Sequence, residues 1–165
     1  MINAVLDIKL LAPEEWRLLK ATRLRALRDS PDAFVSKHDV EVLRTDAQWR
    51  QLLAAATWAV AVEAGAVIGI AALFPGHGGG EPHIESIWVA PTHRQLGVFR
   101  ALLGALVERE RRNGAHDLAL WVLEHNYDAQ AVYSRLGFVP TGERQALPGN
   151  QYELRLRLGV KPLRG

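Results

Sequence analysis

Two stretches of the chain carry residues whose types and spacing suit chemistry. The first is Val89-Ala90-Pro91-Thr92-His93-Arg94-Gln95-Leu96-Gly97-Val98-Phe99-Arg100, where a strand-like pattern gives way to a helical one. A helix start leaves its first backbone N–H groups unpaired and carries partial positive charge. After a strand and a tight Gly-containing turn, such a start forms a cradle suited to phosphate. Gly97 permits close approach, and Arg94 and Arg100 can add contacts to phosphate oxygens. The same layout also serves as an ordinary strand-to-helix connection. Neither GxxxxGK[ST] nor GxGxxG occurs, so P-loop and Rossmann readings lose their main support. The second stretch is Ile84-Glu85-Ser86-Ile87-Trp88-Val89, an apolar strand interrupted by Glu85, which shares a face with Ile87 and Val89. Partial burial there raises a carboxylate's pKa and makes it a better general base at neutral pH. At the strand's entrance Glu85 is instead solvated or paired with an Arg.

The elements that position these groups follow from periodicity. Residues 5–11 read as a first strand. Pro13-Glu14-Glu15 opens a helix with Trp16, Leu19, Leu24 and Leu27 as its buried stripe, and Asp29-Ser30-Pro31-Asp32 stops it. Thr45-Asp46-Ala47-Gln48 is a capping box for a second helix, about 46–56, with Trp49, Leu52 and Leu53 inward. Apolar runs 58–62 and 67–74 form a hairpin around Glu63-Ala64-Gly65. The glycine-rich stretch 75–82 is a loop, followed by a strand at 83–89. A helix over about 98–113 buries Phe99, Leu102, Leu103 and Leu106, and Gly114 ends it. Residues 118–123 are apolar on both faces, as in a strand covered on both sides. A short helix at 128–136, a strand from Phe138 and an alternating strand at 152–158 with one solvated face complete the order β-α-α-β-β-β-α-β-α-β-β. Its centre is a βαβ crossover flanked by hairpins, which predicts a mixed sheet with helices on its faces.

Composition narrows the rest. The 165 residues, 48% of them apolar, suit one domain over 1–165. The chain has no Cys, so disulfides, thiolate metal sites and cysteine nucleophiles are excluded. The absence of a signal-peptide pattern at the N-terminus leads us to expect a cytoplasmic protein. Acidic and basic residues interleave at a net charge of +2, which argues against a nucleic-acid partner, and no apolar run spans a bilayer. His77, Glu81 and His83 border the glycine loop but lack the spacing of a metal site, so no metal is expected; we read them instead as bordering a substrate pocket.

The segment Val89 to Val98 resembles the acetyl-CoA signature of the GNAT N-acetyltransferase superfamily, V-x-P-x-x-[RQ]-x-x-G-x-[GA]. A second block, Asn126-Tyr127-Asp128-Ala129, then Tyr133, then Gly137-Phe138, resembles its N-x-x-A-x-x-x-Y-x-x-x-G-F element. The resemblance implies an α/β (α+β) fold: a mixed, mostly antiparallel twisted sheet of about seven strands with about four helices. It implies acetyl-CoA as acyl donor, held by Arg94, Gln95, Leu96, Gly97, Val98, Phe99 and Arg100. Backbone groups of Ile87 and Val89 would pair with the pantetheine arm, and one of these amides would polarise the thioester carbonyl. Asn126 would contact the arm, a role compatible with capping a helix. Tyr133 would lie near the sulfur as general acid, or else serve as a core aromatic. Phe99 departs from the family's Gly or Ala, which points to core packing for its side chain.

Acetylating an amine requires removing a proton from a group of pKa about 10.4 and stabilising a departing thiolate. Glu85 is the candidate for the first task and Tyr133 for the second. The implied acceptor is a primary amine of a small molecule or peptide, with the oligomeric state open, a homodimer included. The rival reading is an acyl-CoA-binding module of the same fold without catalysis.

Overall fold

The computed structural model describes residues 5–114 and 117–160. Among the described residues seven strands form one sheet in the order β1-β2-β3-β4-β5-β7-β6. In chain order they are β1 (Asp7–Leu10), β2 (Thr57–Glu63), β3 (Ala66–Phe74), β4 (His83–Val89), β5 (Asp117–Leu123), β6 (Val139–Leu147) and β7 (Gln151–Gly159). The helices are α1 (Trp16–Asp29), α2 (His38–Glu41), α3 (Asp46–Ala54), α4 (Val98–Arg112) and α5 (Tyr127–Arg135). The expected mixed, mostly antiparallel α/β sheet is present. Among the described residues there are five helices against about four expected, the addition being the single turn α2, which lies in a polar segment without helical periodicity. The described residues fall into two compact units, one of residues 5–74 with 86–106, the other of residues 75–85 with 107–114 and 117–160.

In the first unit β1, β2 and β3 form an antiparallel meander, with Leu10 opposite Ala59 and Val60 opposite Ile70. The Ala64-Gly65 turn closes the β2–β3 hairpin as expected, since Glu63 pairs with Ala66. Ala59, Val60, Ala61, Ile70, Ala71 and Ala72 are all buried, so this part of the sheet is covered on both faces. At Gly69 a Cβ would meet Val98 Cγ1 at 3.0 Å and Leu102 Cδ1 at 3.2 Å, so the missing side chain lets α4 approach the strand closely.

The helix start at Pro13 is a short 3-10 turn, and α1 proper begins at Trp16. Its buried set is Trp16, Leu19, Thr22, Ala26 and Leu27, while Leu24 is only half-buried. The predicted capping box holds α3: Gln48 N donates to Thr45 Oγ1 at 3.3 Å, and Thr45 N donates to Gln48 Oε1 at 2.8 Å. Trp49 and Leu53 are buried, and Trp58 Nε1 donates to the Leu52 carbonyl at 3.1 Å, which ties α3 to β2.

In the second unit β5 and β7 pair antiparallel from Asp117↔Gly159 to Leu123↔Glu153, and β6 pairs with β7. His83↔Ala119 and Ile84↔Leu120 pair in parallel, as the βαβ crossover requires. The alternating face of β7 is more than a solvated one. Arg155 pairs with Glu81 at 2.6 Å and with Glu143 at 2.5 Å, and Arg157 also pairs with Glu81. These pairs fix Glu81, which the sequence placed in a loop, against β7.

Removing the α3 cap tests the local reading. Thr45→Ala should cost about 1 kcal/mol of stability, measured as a lower urea midpoint at unchanged slope.

Candidate active site

The turn before α4 is built by local backbone geometry. A 3-10 turn over Pro91–His93 follows β4, and the chain then passes through left-handed backbone at Gln95 (φ 63°) and Gly97 (φ 83°). Gln95 is a residue type for which such a φ is uncommon. At Gly97 a Cβ would meet nothing within 4 Å, so glycine is needed there for its backbone angle and not for lack of room. Ala101 N donates to the Gly97 carbonyl at 3.0 Å and starts the helix. Val98 is buried and anchors the first turn, whereas Gln95, Leu96, Gly97 and Arg100 are exposed. The first turn of α4 has no acidic residue, so no carboxylate of its own offsets the N-terminal positive pole, while Arg109, Arg111 and Arg112 in the last turn suit the negative end.

Two residues differ from expectation here. The buried stripe of α4 is Val98, Leu102, Leu103 and Leu106; Phe99 is half-buried at its edge, because burial follows the 98-102-106 spacing. Arg94 does not extend as a phosphate arm. Its Nε donates to the Val89 carbonyl at 3.0 Å, and its Nη2 donates to Ser30 Oγ at 2.9 Å and Asp29 Oδ2 at 3.3 Å.

Within the same unit, residues 86–89 run just ahead of the turn. Trp88 is buried, and its Nε1 donates to Asp29 Oδ2 at 2.9 Å. Hydrogen bonds from Trp88 and Ser30, together with the charges of Arg94 and Arg25, hold the Asp29 carboxyl below its ordinary pKa against the opposing effect of burial. Ile87 and Val89 are half-buried. Ser86 has φ 57°, a left-handed residue inside a strand. Its Oγ accepts from Arg23 Nη1 at 2.6 Å, and Arg23 also grips Glu41 through Nε and Nη2, each at 2.6 Å. Burial works to raise the Glu41 pKa, but hydrogen bonds from Arg23 and Ser36 and the charges of Arg23 and Arg44 outweigh it, and the carboxyl is held below its ordinary value.

The second unit carries the other candidates. Glu85 is exposed, contrary to the partial burial that would tune a base, and its Oε1 lies 2.9 Å from His83 Nε2. Strand residues at i and i+2 share a face, which explains the contact. Asn126 caps α5, its Oδ1 accepting from Ala129 N at 3.1 Å. Tyr133 is 9% exposed and packs edge-on against Phe138 with ring centroids 5.8 Å apart. Burial pushes its phenol up to about 12. Among the described residues no group of three His, Asp or Glu is arranged to hold a metal ion.

The family model of the acetyltransferase (GNAT) family matches residues 22–138. The chain belongs to the GNAT family. Within that family it resembles the uncharacterized N-acetyltransferase YobR of Bacillus subtilis, at 32% identity over 76 residues, 46% of this chain and 29% of YobR. The matched part thus spans less than a third of that relative's length. Among solved structures, a GNAT-family acetyltransferase from Streptococcus pneumoniae superposes with a TM-score of 0.79 at 19% identity, over 95% of this chain and 100% of that one. Nourseothricin acetyltransferase superposes with a TM-score of 0.60 at 31% identity, over 65% of this chain and 66% of that one.

The chain therefore shares the domain of that family over residues 22–138. Its family segment includes the whole 94–100 turn, Glu85, Asn126 and Tyr133. Sequence reasoning missed Arg23, Glu41 and Ser86, which lie outside both motif blocks and meet only on folding.

The buried phenol makes a specific alkaline prediction. The unfolded chain releases the Tyr133 proton near pH 10, while the folded chain keeps it to about 12. This contribution to stability is full below pH 10 and is lost as pH rises toward 12. Ultraviolet titration of the folded protein should show a phenolate step near pH 12 that disappears in Tyr133→Phe.

Proposed function

We propose that the chain transfers the acetyl group of acetyl-CoA to a primary amine of a small molecule or peptide by direct attack. Membership of the family supports acetyl-CoA as donor and an amine as acceptor. The observation that carries the reading is the turn at 94–100. Exposed residues there lead through two left-handed positions into the start of α4, whose first turn carries no acidic residue, in the segment that bears the family signature. Backbone amides from Gln95 to Arg100 take the pyrophosphate, with Arg100 as the side chain that reaches it, since Arg94 braces the turn from behind.

The backbone of Ile87 and Val89 holds the pantetheine arm, and one amide stabilises the oxyanion that forms on the thioester carbonyl. The amine nitrogen forms a bond to that carbon, the C–S bond breaks, and coenzyme A leaves as thiolate. Glu85 takes the amine proton; its exposure suits a base that must meet an incoming acceptor, and His83 beside it can pass the proton to water. Asn126 fixes the start of α5, and with it the placing of Tyr133. The phenol, kept protonated by burial, donates to the departing sulfur.

Two measurements test this reading. Acetyl-CoA should raise the melting temperature, and an amine panel should release free coenzyme A; the panel should span amino acids, polyamines, peptides with free N-termini and nourseothricin. A thermal shift without release would replace the proposal with a binding module. Tyr133→Phe should lower kcat about tenfold or more while changing acetyl-CoA affinity little. Unchanged kcat would remove the role given to the phenol.

A further inference from the structure

Glu41 is a carboxylate with no solvent-exposed side-chain surface. Its two oxygens accept from Nε and Nη2 of Arg23 at 2.6 Å each, a bidentate fork that fixes the guanidinium plane. That plane also lies 5.8 Å from the Phe34 ring and 6.0 Å from the Trp58 ring, so it has little room to turn. The remaining arm, Nη1, reaches Ser86 Oγ at 2.6 Å. Ser86 has φ 57° inside β4, a conformation that serine takes far less readily than glycine or asparagine. Strained backbone of this kind persists where its surroundings hold it.

We infer that Arg23 is a positioning residue for the donor-binding strand: Glu41 aims its guanidinium, and the guanidinium holds the left-handed Ser86 from which the amides of Ile87 and Val89 take their direction. The inference rests on the reading that those amides hold acetyl-CoA. Neither Arg23 nor Ser86 touches the reacting atoms in this scheme. Small errors in the aim of an oxyanion donor are costly because the transition state, more than the ground state, needs the geometry. The expected signature is thus a fall in kcat with little change in donor KM.

The test compares the full chain with Arg23→Lys, Ser86→Gly and the double variant. Lysine keeps a charge for Glu41 but lacks the fork; glycine accepts the left-handed angle but offers Arg23 no oxygen. Each single variant should lose about tenfold in kcat with acetyl-CoA KM nearly unchanged, and the double should be no worse than the poorer single. Ser86→Gly should melt close to the wild type, which separates positioning from folding. Additive losses, or losses that track melting temperature alone, would overturn the inference.

A spectroscopic arm keeps the two readings apart. Acetyl-CoA should move the backbone amide resonances of Ile87 and Val89 in the wild type; if it does not, the donor reading fails. The positioning claim is then judged on the unliganded Arg23→Lys protein. Displaced Ile87 and Val89 amide resonances uphold it, and wild-type positions overturn it.

Discussion

A carboxylate removed from water constrains everything around it, and Glu41 is that group here. An unpaired buried charge costs several kcal/mol, and breaking such a pair by removing one partner typically costs about 3–5 kcal/mol. The full pair, however, gains little over a well-packed apolar substitute of the same volume. Its value to this protein therefore lies in geometry. Glu41 ends a single helical turn, α2, that has few apolar contacts of its own to hold it: Val40 and Leu43 beside it are exposed. The ion pair fastens that turn to α1, and the same guanidinium extends to the bent residue of β4.

Helix α1 acts as a ruler along the segment 86–89. Arg23 grips Ser86 at its start, and Asp29, at the helix end, receives the Trp88 indole two residues on. Arg25, between them, donates to the Val67 carbonyl of β3 at 2.8 Å and lies over the Trp88 ring at 5.1 Å. Asp29 and Ser30 also receive Arg94, whose Nε is bound to the Val89 carbonyl. One rigid element thus sets both the strand and the entry to the turn that follows it. Because these contacts are charge-assisted hydrogen bonds, they have preferred directions that apolar packing lacks.

Features governed by neighbours in sequence were legible, and those governed by distant partners were not. The Thr45 capping box depends on four consecutive residues, and it formed as read. The hairpin around Ala64-Gly65 and Asn126 as a cap are likewise local, and so was the glycine that opens α4. Arg23, Glu41 and Ser86 are separated by 18 and 63 residues along their hydrogen bonds, and no spacing rule links them. Glu41 follows Lys37-His38-Asp39, a run that reads as surface. The sequence leaves Glu85 either half-shielded in its apolar strand or solvated at the strand's entrance, and it is exposed, since alternation fixes a face but says nothing of what covers it. Arg94 illustrates the same limit: its charge suggested phosphate, and its actual partners are an Asp, a Ser and a carbonyl.

Tyr133 shows how burial reshapes a role that residue type alone suggests. With its phenol pushed up to about 12, full proton transfer to a thiolate of ordinary pKa about 8.5 runs uphill by about 5 kcal/mol. In the proposed reaction the phenol therefore acts chiefly as a hydrogen-bond donor, retaining its proton while charge gathers on sulfur. That is the cheaper arrangement in a dry setting, where a neutral donor avoids the cost of burying a phenolate. It also keeps Tyr133 in one protonation state across the pH range in which an amine becomes nucleophilic. The buried phenol thus adds no titration of its own over that range.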